Sequence, residues 1–328
     1  MNLHSTHGAA PITLVVVPRE RFSRAELSLE TLYATTDQPF DLIYLDGPSP
    51  PPIRRYLDQQ AQKKRFRLLR LSEFVPGSRW RNLALGEVRS PYVVFIDNDV
   101  IVRPGWLEAL RCCADETGAA VVGPLYLEHA GGREFIHMAG GQGHVTEIEG
   151  RRRCIEHHRF QGRKLSELDE GLTRERTELV EFHCTLIRTD VLQKMGGFDE
   201  GMKNTAEHVD FCLSIRGAGH EIYFEPAAVV VYVQPPPFAR SDLPFFYTRW
   251  NDTWAQQTVA HFRRKWELDP EDPFLTSKQR WTTIRRRQIF THFFRRVPMP
   301  DLGHRVADRV IAPMIDACAA KFIAPPTT

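Results

Sequence analysis

The sequence predicts an α/β fold, a mostly parallel central sheet flanked by helices, followed by a helical C-terminal extension. Ile12 to Val17 is an uninterrupted apolar, β-branched run, which suits a parallel strand covered on both faces. Strand-like and helix-like segments then alternate, the pattern of βαβ units with right-handed crossovers. Finally, Pro91 to Trp106, PYVVFIDNDVIVRPGW, carries an apolar strand straight into Asp97-Asn98-Asp99, at the strand end where ligand sites of open α/β sheets lie.

After the first strand, Pro18-Arg19-Glu20-Arg21 reads as a loop, and Ser23 with Glu26 as a capping box opening a helix that places Leu29, Leu32 and Tyr33 on one face. Phe40 to Leu45 is the second strand, ending at Asp46-Gly47-Pro48, and Ile53 to Lys64 the second helix. Phe66 to Leu71 gives a third strand and Asn82 to Val88 a short helix leading into the central strand, Tyr92 to Ile96. Pro104 suits the first position of the next helix, Gly118 its stop, and Ala120 to Gly123 a further strand.

From Pro124 to Thr177 periodicity fails. Phe135 to Gly141, FIHMAGG, suits one strand of a hairpin, while Arg151-Arg152-Arg153 with His157 and His158 reads as a mobile loop, either a solvated segment or an acceptor-binding insert. Order returns with a strand from Leu179 to Ile187 that contains His183, then a helix from Asp190 to Met195 capped by Thr189. Gly196-Gly197-Phe198-Asp199-Glu200 precedes a helix that begins Glu207-His208-Val209-Asp210 and stops at Gly217 to Gly219. Strands Glu221 to Phe224 and Val229 to Val233 complete the unit, and Pro235-Pro236-Pro237 closes it. The expected domains are therefore 1–237 and a helical, aromatic and basic region 238–328.

The 328 residues, 42% hydrophobic and 26% charged, are those of a globular protein with ample core. Neither a signal-peptide pattern nor an apolar run of about 18 residues is present, so a cytoplasmic location is expected. The six cysteines lack Cys-x-x-Cys spacing and read as buried thiols, and the thirteen histidines lack zinc-ligand spacing, so a structural zinc site is not expected. Net charge is +2, yet nine basic residues fall between Lys278 and Arg309. That block suits an anionic partner such as a lipid surface at the inner membrane face, a solvated helix face or an oligomer contact. No nucleic-acid docking motif accompanies it.

Residues i and i+2 of an extended segment point the same way, so Asp97 and Asp99 are expected to present two carboxylates together. Such a pair suits a hard divalent cation, Mg²⁺ or Mn²⁺, shared with the oxygens of a diphosphate. With these pieces in order the chain resembles the family-two glycosyltransferases of the GT-A fold, over roughly Pro11 to Val233. The resemblance rests on Val17-Pro18, Asp46-Gly47, Arg81-Asn82, Phe95-Ile96-Asp97-Asn98-Asp99, and Met195 to Glu200 ahead of Glu207 to Leu213.

The resemblance implies transfer of a sugar from a nucleotide sugar to an acceptor hydroxyl, with inversion, on a glycan, lipid-linked, peptide or small-molecule acceptor. Pro18, Arg19, Asp46, Arg81, Asn82, Asp97 and Asn98 would bind the donor, and Asp97 and Asp99 the metal. The chain departs from the family in having His208 where an Asp base is usual, so that His208, Glu207 or Asp210 is the base, and Tyr232 where a histidine is usual. His183 is an alternative for either role. A sugar nucleotidyltransferase would need a glycine-rich phosphate loop after the first strand, which Val17-Pro18-Arg19-Glu20 lacks. A degenerate fold serving as a scaffold is the non-enzymatic alternative.

Overall fold

A computed structural model describes residues 11–233 and 238–293, with isolated positions 306, 309, 310 and 314. Four strands, β1 (Ile12–Val17), β2 (Asp41–Asp46), β3 (Arg67–Arg70) and β4 (Tyr92–Asp97), form a parallel unit in the order β3-β2-β1-β4. Between them run α1 (Ala25–Ala34), α2 (Pro51–Lys64) and α3 (Gly77–Leu85). After a short β5 (Val100–Val102) and α4 (Trp106–Thr117), the sheet grows on the other side of β4.

There β6 (Val121–Ala130), β7 (Arg133–Met138), β8 (Gly141–Ile148), β9 (Arg151–His158), β10 (Glu175–Arg176) and β11 (Cys184–Arg188) follow in the chain, and then α5 (Thr189–Lys194), α6 (Glu207–Gly217) and β12 (Ile222–Val233). The sheet order is β10-β12-β6-β11-β4-β1-β2-β3; β11 joins antiparallel to both β4 and β6, and β12 runs parallel to β6. The fold is mixed α/β with C-terminal helices α7 (Leu243–Arg249), α8 (Asp252–Trp266) and α9 (Pro273–Phe293).

Alternation along the strands divides the core into two layers. Leu14, Val16, Val94 and Ile96 pack with Trp106 and Leu110 of α4, while Val15, Val17, Val93 and Phe95 pack with Trp80, Phe198 and Phe211. Gly118, at φ +73, ends α4 as expected, its N–H reaching the Ala114 carbonyl.

Several local expectations give way to tertiary contacts. Ser23 does not cap α1, whose N-cap is Arg24; its amide and hydroxyl both donate to Asp242, at 2.9 and 2.6 Å. Helix α4 begins at Trp106 behind Gly105 in a left-handed conformation, two residues past Pro104. The two strands expected after Gly219 are one long β12, interrupted by a bulge between Glu225 and Val229.

The largest correction lies in the stretch expected to be irregular. Residues Arg151 to His158 are not a mobile loop but β9, paired antiparallel with β8 from Gly141↔His158 to Ile148↔Arg151. The period-2 signal was hidden because the inward face of β9 is Cys154, Glu156 and His158 rather than a row of aliphatics. Gly141 permits the pairing: a Cβ there would stand 2.4 Å from the His157 carbonyl oxygen.

The C-terminal helices are packed onto the sheet domain. Phe245 of α7 stacks on Phe74 at 5.0 Å and lies 5.1 Å from Phe22, while Arg285 of α9 is buried against the loop after β1. Of the basic tail, Lys278, Arg285 and Arg286 are spent on internal ion pairs with Glu156, Glu20 and Asp252. Arg295, Arg296 and Arg305 lie outside the described residues.

Candidate active site

Strand β4 ends at Asp97 and the chain turns at Asn98-Asp99, and the two carboxylates take different arginine partners. Asp97 Oδ2 accepts from Arg19 Nη1 at 2.7 Å and lies 3.1 Å from His183 Nδ1; Arg81 is 4.0 Å from its other oxygen. Asp99 Oδ2 accepts from Arg21 Nε at 3.2 Å, and both side chains are fully buried. Asn98 fixes the loop after β1, its Oδ1 accepting the Arg19 amide at 3.0 Å.

These pairings set the charges. Burial works to protonate Asp97, but Arg19, His183 and Arg81 outweigh it and hold the carboxyl down at about 2. Asp99 is pushed up to about 6, by burial and by the neighbouring carboxylates of Asp97 and Glu20, against the pull of Arg21. His183 is pushed down to about 4 by burial and by Arg19, against the pull of Asp97, so the imidazole is neutral at pH 7.

A cavity of about 470 Å³ opens in front of this layer. Arg19, Arg81, Arg249 and Arg285 make its basic wall, and Glu181, His183, Glu207 and His208 lie on it as well. Asp97 and Asp99 do not line it. The basic wall is undersatisfied: Arg19 Nε, Arg249 Nε and both Nε and Nη1 of Arg81 are buried without a hydrogen-bond partner. Arg81 lies over the Phe182 ring at 4.2 Å, and burial lowers its pKa to about 10 despite Asp97 and Glu207. A guanidinium held in such a place is a binding group for an anion with several oxygens.

Asn82, one residue on, faces elsewhere. Its side chain bonds both the amide and the carbonyl of Phe198, each at 2.8 Å, and so holds the Gly196 to Glu200 turn. Gly197 has φ +89, and a Cβ there would come within 2.5 Å of Asn82 Oδ1, so the glycine is required by backbone conformation and by close approach. Asp46 closes β2 fully buried, its Oδ2 on Arg70 Nε at 2.6 Å, and Pro18 is buried at the start of the Arg19 loop.

The three candidate bases separate. Glu207 and His208 line the cavity; Glu207 accepts from Arg249 at 3.1 Å, and His208 Nε2 lies 2.9 Å from Glu156 Oε1. Burial would protonate Glu207, but Arg249 and Arg81 keep its pKa below the ordinary value. Asp210 does not line this cavity; it is bonded to Lys265 at 2.8 Å and to Trp266 Nε1 at 2.8 Å. Tyr232 does not take the place of a metal-binding histidine: its ring lies 4.5 Å from that of His183, and its hydroxyl donates to Glu20 and accepts from Arg285.

Sequence reading missed a second layer of the cavity. Glu128, His137, Glu156, His158 and Glu181 converge there from β6, β7, β9 and the segment before β11. His137 Nδ1 is 2.6 Å from Glu128 and its Nε2 3.5 Å from Glu181; burial opposes its protonation, but the two carboxylates raise its pKa to about 9. No sequence spacing announces this group, because its members come from four separate segments.

The site lies at the C-terminal ends of parallel strands β1 and β4, the place of nucleotide sites in such sheets. The model of the family described as Glycosyl transferase family 2 matches residues 15–196. The chain belongs to glycosyl transferase family 2. Its fold is of GT-A type.

Among solved structures, this family-two chain is similar to GalNAc-T7 with UDP, GalNAc and Mn²⁺ (12% identity, TM-score 0.55, covering 87% of this chain and 58% of that one). It is also similar to the mannosyltransferase PcManGT from Pyrobaculum calidifontis with GDP-Man and Mn²⁺ (14%, TM-score 0.51, 96% and 86%). At these identities the likeness is one of fold. Curated relatives include the uncharacterized protein y4gI of Sinorhizobium fredii, 23% identical over 83% of this chain and 31% of that protein. The pre-mycofactocin glycosyltransferase of Mycobacterium tuberculosis is 27% identical over 46% of this chain and 29% of its own length. The chain thus spans about 30% of the length of these relatives.

In this family-two chain, the Asp pair offers a hard divalent cation one unpartnered oxygen. Asp99 Oδ1 is buried without a hydrogen-bond partner, and carboxylate oxygen is the donor such ions take. Among the described residues no helix is long and apolar enough to cross a membrane.

Proposed function

We propose that the chain transfers a sugar, with inversion, from a nucleoside-diphosphate sugar bound at the Arg19–Arg81 wall to an acceptor hydroxyl presented to His208. The observation that carries this reading is Arg81, a buried guanidinium whose Nε and Nη1 have no protein partner and which faces the cavity also lined by His208. A diphosphate supplies the oxygens those donors lack. Arg19, already oriented by Asp97, adds a second cation beside it.

His208 acts as general base. Its Nε2 is fixed by Glu156, which leaves Nδ1 as the nitrogen to take the acceptor proton. Glu207, held ionised by Arg249, orients that arginine toward the leaving diphosphate. Asp99, through its unpartnered Oδ1, would hold Mn²⁺ or Mg²⁺, which when bound would neutralise the departing nucleoside diphosphate.

The test is thermal shift of the purified protein against UDP, GDP, ADP and their sugars, with and without Mn²⁺, since a ligand of the native state raises the midpoint by mass action. One nucleotide family stabilises the wild type and fails to stabilise Arg81→Ala. Absence of any shift at millimolar nucleotide would sink the reading.

A further inference from the structure

We infer that His137, Glu181 and His183 form a second, transition-metal site on the acceptor side of the cavity, distinct from the Asp97-Asp99 pair. One ligand atom from each of the three lies within 4.8 Å of the others. His137 Nε2 and Glu181 Oε1 are 3.5 Å apart, close to the roughly 3.3 Å between two ligands on one tetrahedral ion of zinc size. A small contraction around an ion completes the set.

The orientation of the two imidazoles is what separates this cluster from a chance gathering of polar groups. A metal-bound histidine usually has its other ring nitrogen on a carboxylate. His137 Nδ1 lies 2.6 Å from Glu128 Oε1, and His183 Nδ1 lies 3.1 Å from Asp97 Oδ2. His137 Nε2 is buried without a hydrogen-bond partner and faces Glu181, while His183 Nδ1 is shared between Asp97 and Arg19 Nη1, the latter at 3.0 Å. The rings meet edge to face at 82°, centroids 5.3 Å apart.

Two imidazoles and one carboxylate are the ligand set of catalytic zinc sites, which keep a fourth position open. Nitrogen donors select a borderline ion such as Zn²⁺ over Mg²⁺. All three residues line the cavity, so the fourth ligand would be water or an oxygen of the acceptor.

The neighbouring group of Glu156, His158 and His208 offers similar atoms but is the weaker site. Lys278 already neutralises Glu156, and His208 is the base of the proposed reaction. The competing account of the first group is a proton-only cluster, with His137 as an imidazolium between Glu128 and Glu181.

The role on the acceptor side rests on the functional reading above, whereas metal binding itself does not, and the experiment keeps them apart. The full chain is freed of metal with a chelator and titrated with Co²⁺, following its visible ligand-field bands, and with Zn²⁺ by calorimetry, all without nucleotide. One equivalent of Co²⁺ binds with the intense bands of a low-coordinate nitrogen-containing site, and Zn²⁺ displaces it. Glu181→Gln and His137→Ala abolish the bands, Glu128→Gln weakens Zn²⁺ binding about 10–100-fold, and Asp99→Ala leaves the bands in place.

Wild-type protein that gives no saturable Co²⁺ band overturns the inference whatever the variants do, and so do bands that persist in both Glu181→Gln and His137→Ala. Circular dichroism of each variant separates loss of a ligand from loss of the fold. UDP and GDP thermal shifts on the same chelator-treated protein report on the donor site independently.

Discussion

Glu20 and Arg285, 265 positions apart in the sequence, form a buried ion pair that joins the loop after β1 to α9. The Tyr232 hydroxyl completes the unit, at 3.2 Å from Glu20 and 3.1 Å from Arg285. Burial would protonate Glu20, but Arg285 and the nearby Arg19, Arg249 and Arg21 bring its pKa down to about 2. The loop that carries Arg19 is thus anchored from the far end of the chain.

Removing one member of a buried pair leaves the other charge uncompensated. Glu20→Gln should cost about 3–5 kcal/mol in urea unfolding, and Glu20→Gln with Arg285→Met should recover part of that. A loss under 1 kcal/mol for the single variant would mean that α9 does not hold the loop.

Adjacent residues Arg81 and Asn82 should separate function from stability. Arg81 is buried at a cost and faces the cavity, so Arg81→Ala should leave the melting temperature unchanged or raise it while weakening nucleotide binding about 10–100-fold, the worth of a charge-assisted contact of about 1.5–3 kcal/mol. Asn82→Ala strips the Phe198 amide and carbonyl of their partner and should cost about 1–3 kcal/mol of stability. Paired calorimetry and thermal melts check both; equal loss of affinity in the two variants would contradict the assignment.

His208→Ala should lower kcat by about 10²–10⁴, the usual share of a general base, with nucleotide affinity intact. Asp210→Asn should instead lower the melting temperature and change kcat little, since Asp210 serves Lys265 and Trp266. Steady-state kinetics with the donor that stabilises the protein decides between them.

Acid should loosen the Gly196 to Glu200 turn. Burial opposes ionisation of Asp199, yet His261, Lys265 and the Gly201 amide prevail and lower its pKa to about 2 from an ordinary 3.8. A carboxylate of this kind contributes stability that is fully present above pH 4 and is lost as pH falls from about 4 to 2. The contribution is about 2 kcal/mol. Wild type should therefore lose stability more steeply than Asp199→Asn across that window, as measured by urea unfolding at each pH.

The parallel half of the fold was legible in the sequence because its signals are local. Ile12 to Val17 and Tyr92 to Ile96 are β-branched or aromatic runs whose alternate residues fill the two core layers, and Gly118 ends α4 by a conformation that glycine adopts freely. Gly196-Gly197 was legible as part of a motif, whereas Asn82, expected beside the donor, holds that turn through Phe198. By contrast, Arg151 to His158 hid its strand, as its inward face is chosen for the cavity rather than for a core.

Sequence by itself determined the α/β frame and set carboxylates, arginines and a histidine at strand and helix ends. Only the tertiary structure decided which of them meet. Asp97 and Asp99 pair with different arginines, Asp210 is bonded to Lys265 of α8, and His137, Glu181 and His183 meet because β7 and β11 both pair with β6. Contacts among residues so far apart in the chain leave no periodic trace, because the sheet order that creates them is set by burial of the strands' apolar faces and not by the polar residues it brings together.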